Sequence, residues 1–141
     1  SGAILSGASE NIINAIEKYA YNYGIAFQII DDILDFNGSQ EEIGKPVGND
    51  LLQGVITLPV ILALESSKYR LDILDLLKDF TDAEQVKSAI KKIVNTELLN
   101  ESLDIAKKYC DQAIDSLNSL PSNESRNSLE KLVNSLKTSF N

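Results

Sequence analysis

A chain of 141 residues is long enough for one ordinary hydrophobic core, and 43% hydrophobic and 24% charged residues with 7 Gly and 3 Pro exclude collagen-like, low-complexity and disordered classes. The net charge of -8 excludes a surface of clustered Lys and Arg, so no nucleic-acid partner is expected. The absence of His removes histidine nucleophile pairs and histidine-ligated zinc, and the single Cys110 removes an internal disulfide.

The chain opens at Ser1 in a small, apolar stretch (SGAILSGAS) and contains no Met, which reads as a piece cut from a longer protein. No basic stretch followed by an apolar one suggests export, so the cytoplasm is the expected compartment. From Ser9, a plausible N-cap, to Asn37 the sequence reads as one long helix without proline. Residues 38–54 hold four of the seven glycines and Pro46 and have no apolar period, which predicts a loop long enough to be functional. A helix is expected from Thr57, with Pro59 tolerated in its first turn. The apolar run 58–64, broken by that proline, is far short of the ~20 residues that cross a bilayer, so no membrane span is expected.

A short helix is expected over Leu71–Lys78, and Thr81 with Glu84 reads as a capping box for a helix from Asp82 to Val94. Val86, Ala89, Ile90, Ile93 and Val94 form that helix's apolar stripe. Thr96 is the expected cap of a helix to about Leu120, Pro121 its stop, and Ser122 or Asn123 the start of a last helix to about Phe140. Without any strand-like alternation the fold class is all-α, taken as a single helical domain over 1–141.

The stretch that carries chemistry is GIAFQIIDDILDF, residues 24–36. On a helix, Gly24, Gln28, Asp31 or Asp32, and Asp35 recur every three or four positions, a polar stripe on an otherwise apolar cylinder. Such a helix belongs inside a bundle, where carboxylates must face a wet cavity, pair with cations or bind a metal. Asp31 and Asp35, one turn apart, could share a hard cation, and Mg²⁺ suits oxygen ligands and phosphate co-ligands. Residues 1–65 carry nine acids against two bases, and one of those bases, Lys45, lies in the glycine-rich loop as a candidate phosphate contact. Tyr19, Tyr21 and Tyr23 read as packing residues.

With those residues in view, GIAFQIIDDILDF followed by GKPVGND and the run to TLPVILALE resembles the second aspartate-rich region of the all-trans isoprenyl (polyprenyl) diphosphate synthases. The resemblance covers nearly the whole chain but only the C-terminal part of such enzymes. It implies the C-terminal helices of an isoprenoid-synthase-type bundle, residues 38–54 as an active-site loop, and prenyltransferase chemistry. In that chemistry Mg²⁺ assists ionisation of an allylic diphosphate, and isopentenyl diphosphate attacks the allylic cation. Carried over by position, the resemblance implies Asp31, Asp32 and Asp35 as metal ligands with Asp50 as an outer-shell carboxylate. Lys45 then contacts the allylic diphosphate, and Phe27 and Gln28 form the substrate-side pair. Asp31, Asp35 and Lys45 would carry catalysis.

The first aspartate-rich motif and the arginines for isopentenyl diphosphate are missing, so the N-terminal half of the enzyme is an expected partner and the chain alone is expected to be inactive. The alternative is a non-catalytic helical partner subunit of a prenyl synthase, and a terpene cyclase would leave GKPVGND unexplained. Half a bundle would also expose apolar surface, so a homo-oligomer or self-association is expected.

Overall fold

The computed structural model describes residues 7–36, 47–78, 81–94 and 97–139. Among them the elements are α1 (Gly7–Asp35), α2 (Asn49–Leu52), α3 (Leu58–Glu65), α4 (Arg70–Leu76), α5 (Ala83–Val94), α6 (Leu98–Ser116), a 3₁₀ turn (Leu117–Ser119) and α7 (Glu124–Thr138), with no strand. The all-α class is as expected, and no described helix is long and apolar enough to cross a membrane. The single domain expected from length is drawn as two compact units, residues 1–27 with 105–141 and residues 28–104. The chain passes from one to the other within α1 and again within α6.

In the unit formed by the two chain ends, Tyr19, Ala26, Cys110, Ala113, Leu117 and Val133 are buried together. The Tyr19 hydroxyl donates to the Leu129 carbonyl at 2.8 Å. Tyr19 stacks on Tyr23 at 5.9 Å and Tyr23 on Phe27 at 6.3 Å, so two of the three tyrosines pack as expected, whereas Tyr21 is exposed. Burial pushes the Cys110 thiol above its ordinary range. Asn123 is the α7 cap: its side chain accepts the Arg126 N–H at 3.0 Å, and the Arg126 guanidinium donates to the Leu120 carbonyl at 3.0 Å, fixing the corner that Pro121 opens.

The core of the middle unit is mainly aliphatic, with Phe36 its one aromatic member among the buried residues. Phe36, Leu51, Val60, Ala63, Ile73, Val86, Ala89, Ile90, Ile93 and Leu98 share one core, each large side chain contributing roughly 1.5–3 kcal/mol by burial. The α5 stripe is buried as its spacing predicts except at Val94, which the last turn leaves exposed. The Asp82 carboxylate accepts the N–H groups of Glu84 and Gln85, and the helix starts at Ala83, one residue later than expected. The Thr96 cap and the Asn37–Gly38 helix end lie outside the described residues. The end of the predicted loop instead holds α2, a single helical turn anchored by the fully buried Leu51. Thr57 precedes α3 in extended conformation with Pro59 in the first turn. Its buried hydroxyl has no hydrogen-bond partner among the described residues: Pro59 has no N–H, and the Val60 N–H goes to the Thr57 main-chain carbonyl at 3.1 Å.

Candidate functional site

The polar stripe of α1 does form, but its members face different surroundings. Gln28 is exposed and its amide donates to Asp32 Oδ1 at 3.0 Å, one turn along, which orients that carboxylate. Asp31 is exposed, Asp32 half-buried, and Asp35 only 5% exposed.

Asp35 is buried because the chain returns onto it. The N–H of Asp50 donates to Asp35 Oδ2 at 2.9 Å, and the N–H of Gly48 donates to the Asp35 main-chain carbonyl at 2.7 Å. Gly48 sits in the left-handed region at φ 72°, and a Cβ there would meet the Ile90 side chain at 2.5 Å, so only glycine lets the turn lie this close to α5. Asp50 is half-buried in the first turn of α2, and its main-chain carbonyl accepts the Val55 N–H at 2.8 Å. Four carboxylates, those of Asp31, Asp32, Asp35 and Asp50, are thus gathered by the end of α1 and the turn that follows.

None of the ion pairs found among the described residues involves these four carboxylates. Burial pushes the Asp32 carboxyl above its usual range; the Gln28 amide opposes this, the charges of Asp50 and Asp31 add to it, and the Leu58 N–H opposes it. Burial also raises Asp35, with the Asp50 N–H opposing and the charge of Asp50 reinforcing the rise. The ion pairs among the described residues, such as Lys92 with Asp72 and Lys137 with Asp111, engage other carboxylates. A hard divalent cation is the chemical group that such a charge cluster accepts.

Among the described residues, however, no group of three or more acidic or Cys side chains is placed to hold a metal ion. The expected sharing of one cation by Asp31 and Asp35 meets a physical obstacle: Asp35 is turned inward onto main-chain N–H groups while Asp31 faces out. Asp31, exposed to solvent, is the carboxylate of the stripe left open to a ligand, while Asp32 is half-buried with Oδ1 held by the Gln28 amide.

Phe27 and Gln28, the expected substrate-side pair, are both exposed but have different partners: Phe27 stacks on Tyr23, Gln28 serves Asp32. Lys45 lies outside the described residues. Sequence reasoning missed the steric demand at Gly48 and the N–H donors of Asp50 and Leu58. The Gly-Asn-Asp string was the available signal for the first of these.

Residues 1–93 match the family model of the polyprenyl synthetases. The heptaprenyl diphosphate synthase component 2 of Bacillus subtilis is 44% identical over 132 residues, 94% of this chain and 38% of that protein. The solanesyl-diphosphate synthase 2 of Oryza sativa is 37% identical over 94% of this chain and 32% of its own length. Among solved structures, heptaprenyl diphosphate synthase from Staphylococcus aureus aligns with a TM-score of 0.78 at 29% identity, over 89% of this chain and 39% of that one. The chain thus spans about two fifths or less of the length of these relatives. With a family match over 93 of its 141 residues, a stretch that includes the helix carrying the carboxylates, the chain belongs to the polyprenyl synthetase family.

Proposed function

We propose that this chain supplies the second aspartate-rich half of a trans-prenyltransferase site, which takes an allylic diphosphate with Mg²⁺ and serves its condensation with isopentenyl diphosphate. The observation that carries the reading is the set of four gathered carboxylates, two of them raised by burial and mutual repulsion, with no described Lys or Arg beside them. Asp31 and Asp32 are the residues that would hold the ion, Asp32 steadied by Gln28, with Asp50 behind them and Lys45 on the diphosphate. Bound Mg²⁺ supplies neutralisation of the charge that builds on the departing diphosphate. The chain's apolar residues keep water from the allylic cation that diphosphate loss leaves. The names of the Bacillus and rice relatives point to medium- or long-chain polyprenyl products.

Without the other half the chain turns over negligibly. The exposed side chains of Ile13, Ile16, Ile61, Leu71 and Leu132 support burial against further protein, a second copy or the missing half. The cytoplasmic location stays part of this proposal; the rice relative, named as chloroplastic, marks the alternative.

Calorimetry of farnesyl diphosphate binding to this chain, with and without Mg²⁺, tests the reading. Mg²⁺-dependent binding that Asp31→Ala lowers by about tenfold or more is expected for loss of a charged ligand; binding indifferent to Mg²⁺ and to Asp31 overturns it. The word "component" in the names of the Bacillus subtilis and Geobacillus stearothermophilus relatives favours a second reading, a subunit that acts through a catalytic partner. A chain that binds no diphosphate alone yet raises the turnover of a co-purified synthase would select it.

A further inference from the structure

We infer that Asp35 is a positioning residue rather than a metal ligand: its buried carboxylate clamps the Gly48–Asp50 turn and thereby sets where the Asp50 carboxylate stands relative to Asp31 and Asp32. Three observations converge on it. Asp35 is 5% exposed, too enclosed to present an oxygen to a hydrated ion. Two of its acceptor oxygens engage the returning chain, Oδ2 with the Asp50 N–H at 2.9 Å and the main-chain carbonyl with the Gly48 N–H at 2.7 Å. The turn it grips has no slack, since Gly48 is left-handed and packed against Ile90 while Leu51, one residue past Asp50, is fully buried. A charged acceptor of a main-chain N–H makes a stronger bond than a neutral one, which suits a turn only one helical turn long.

The inference rests on the proposed function for its metal arm, and its main test needs no metal. Amide hydrogen exchange on the full chain reads the clamp directly. Asp35→Ala is expected to speed exchange at Asp50 by about tenfold, the size of losing one such hydrogen bond, whereas Asp35→Asn, which keeps an acceptor oxygen, changes it by less than about threefold. Titration with Mg²⁺ and inorganic pyrophosphate then separates clamp from ligand: Asp35→Asn keeps affinity within about fivefold of the parent while Asp31→Asn falls by tenfold or more. Gly48→Ala, which disturbs the same turn and leaves all four carboxylates in place, is expected to weaken this binding as Asp35→Ala does.

Unchanged Asp50 exchange in Asp35→Ala overturns the inference. So does an Asp35→Asn variant that loses Mg²⁺ binding as fully as Asp31→Asn while Asp50 stays protected. If the parent chain binds no Mg²⁺ with pyrophosphate, the proposed function fails at that point, and the exchange data alone decide the role of Asp35.

Discussion

Residues 19–27 and 28–35 are consecutive stretches of one helix, yet they solve opposite problems. The first presents Tyr19, Tyr23 and Phe27 at four-residue spacing, a ladder of rings closed by a hydroxyl bonded to the Leu129 carbonyl. The buried hydroxyl there, that of Tyr19, is satisfied within the packing. The second presents Gln28, Asp32 and Asp35 with Asp31 alongside, and there the carboxylates repel one another and two carboxyls are held above their ordinary range, chiefly by burial. The same period of the α-helix serves both, so the periodicity marks a face and only the chemistry of the face tells structure from function. A stretch that is electrostatically uneasy in a fold that is otherwise well packed is where a ligand is expected to complete the molecule.

The comparison breaks most visibly if its apolar foundation is removed. Phe36, 1% exposed directly after the carboxylates, is expected to cost roughly 3–5 kcal/mol when changed to Ala, read as a lower denaturant midpoint. Next in size is a contrast between two left-handed glycines. Gly48→Ala meets both an unfavourable φ and the Ile90 side chain, for about 2–4 kcal/mol, whereas Gly54→Ala at φ 80° meets open space and is expected to cost only about 1 kcal/mol. Equal costs at the two positions would mean that the Gly48 turn is not tightly packed. Tyr19→Phe keeps the ring ladder and removes only the bond to Leu129, an expected loss of about 1 kcal/mol by thermal or chemical unfolding.

The smallest effect is a pH dependence and carries a definite sign. Asp32 and Asp35 are raised in the fold from an ordinary 3.8, so the folded form holds protons that the unfolded chain has already released. Below that value the two forms are alike. As pH rises through it, stability falls until the raised carboxyls also ionise, and the full penalty persists above. Asp35→Asn removes one contributor, so its unfolding free energy falls less than the parent's between acid and neutral pH. A parallel pair of stability curves would show that Asp35 is not strained by its surroundings.

Much of this was legible in the sequence, unevenly. The stripe Val86, Ala89, Ile90 and Ile93 and the Asn123 cap follow from spacing and local chemistry, so they stand where they were expected. Helix starts shift by a residue or two, as at Asp82, because neighbouring polar side chains compete for the same N–H groups. The carboxylate string was plain to read, but the facing of each member was not. Asp35 turns inward because residues 15 positions away return to bond it, and a helical wheel contains no information about where a chain goes after the helix ends. The turn hidden in the expected loop belongs to the same class: Asn49–Leu52 is helical because Leu51 finds a buried seat, not because four residues favour helix on their own.

Cys110, buried in the unit formed by the chain ends, gives that unit a built-in clock. It is the chain's sole thiol, it has no accessible surface, and burial holds it in the unreactive protonated form. A soluble alkylating reagent therefore reaches it only when α6 parts from its neighbours, and the rate of a single mass increment counts those openings one molecule at a time. Because no thiol lies among residues 28–104, the same reagent is silent about the unit that carries the carboxylates, and any acceleration on adding a diphosphate or a partner chain would report events felt at the other end of the sequence.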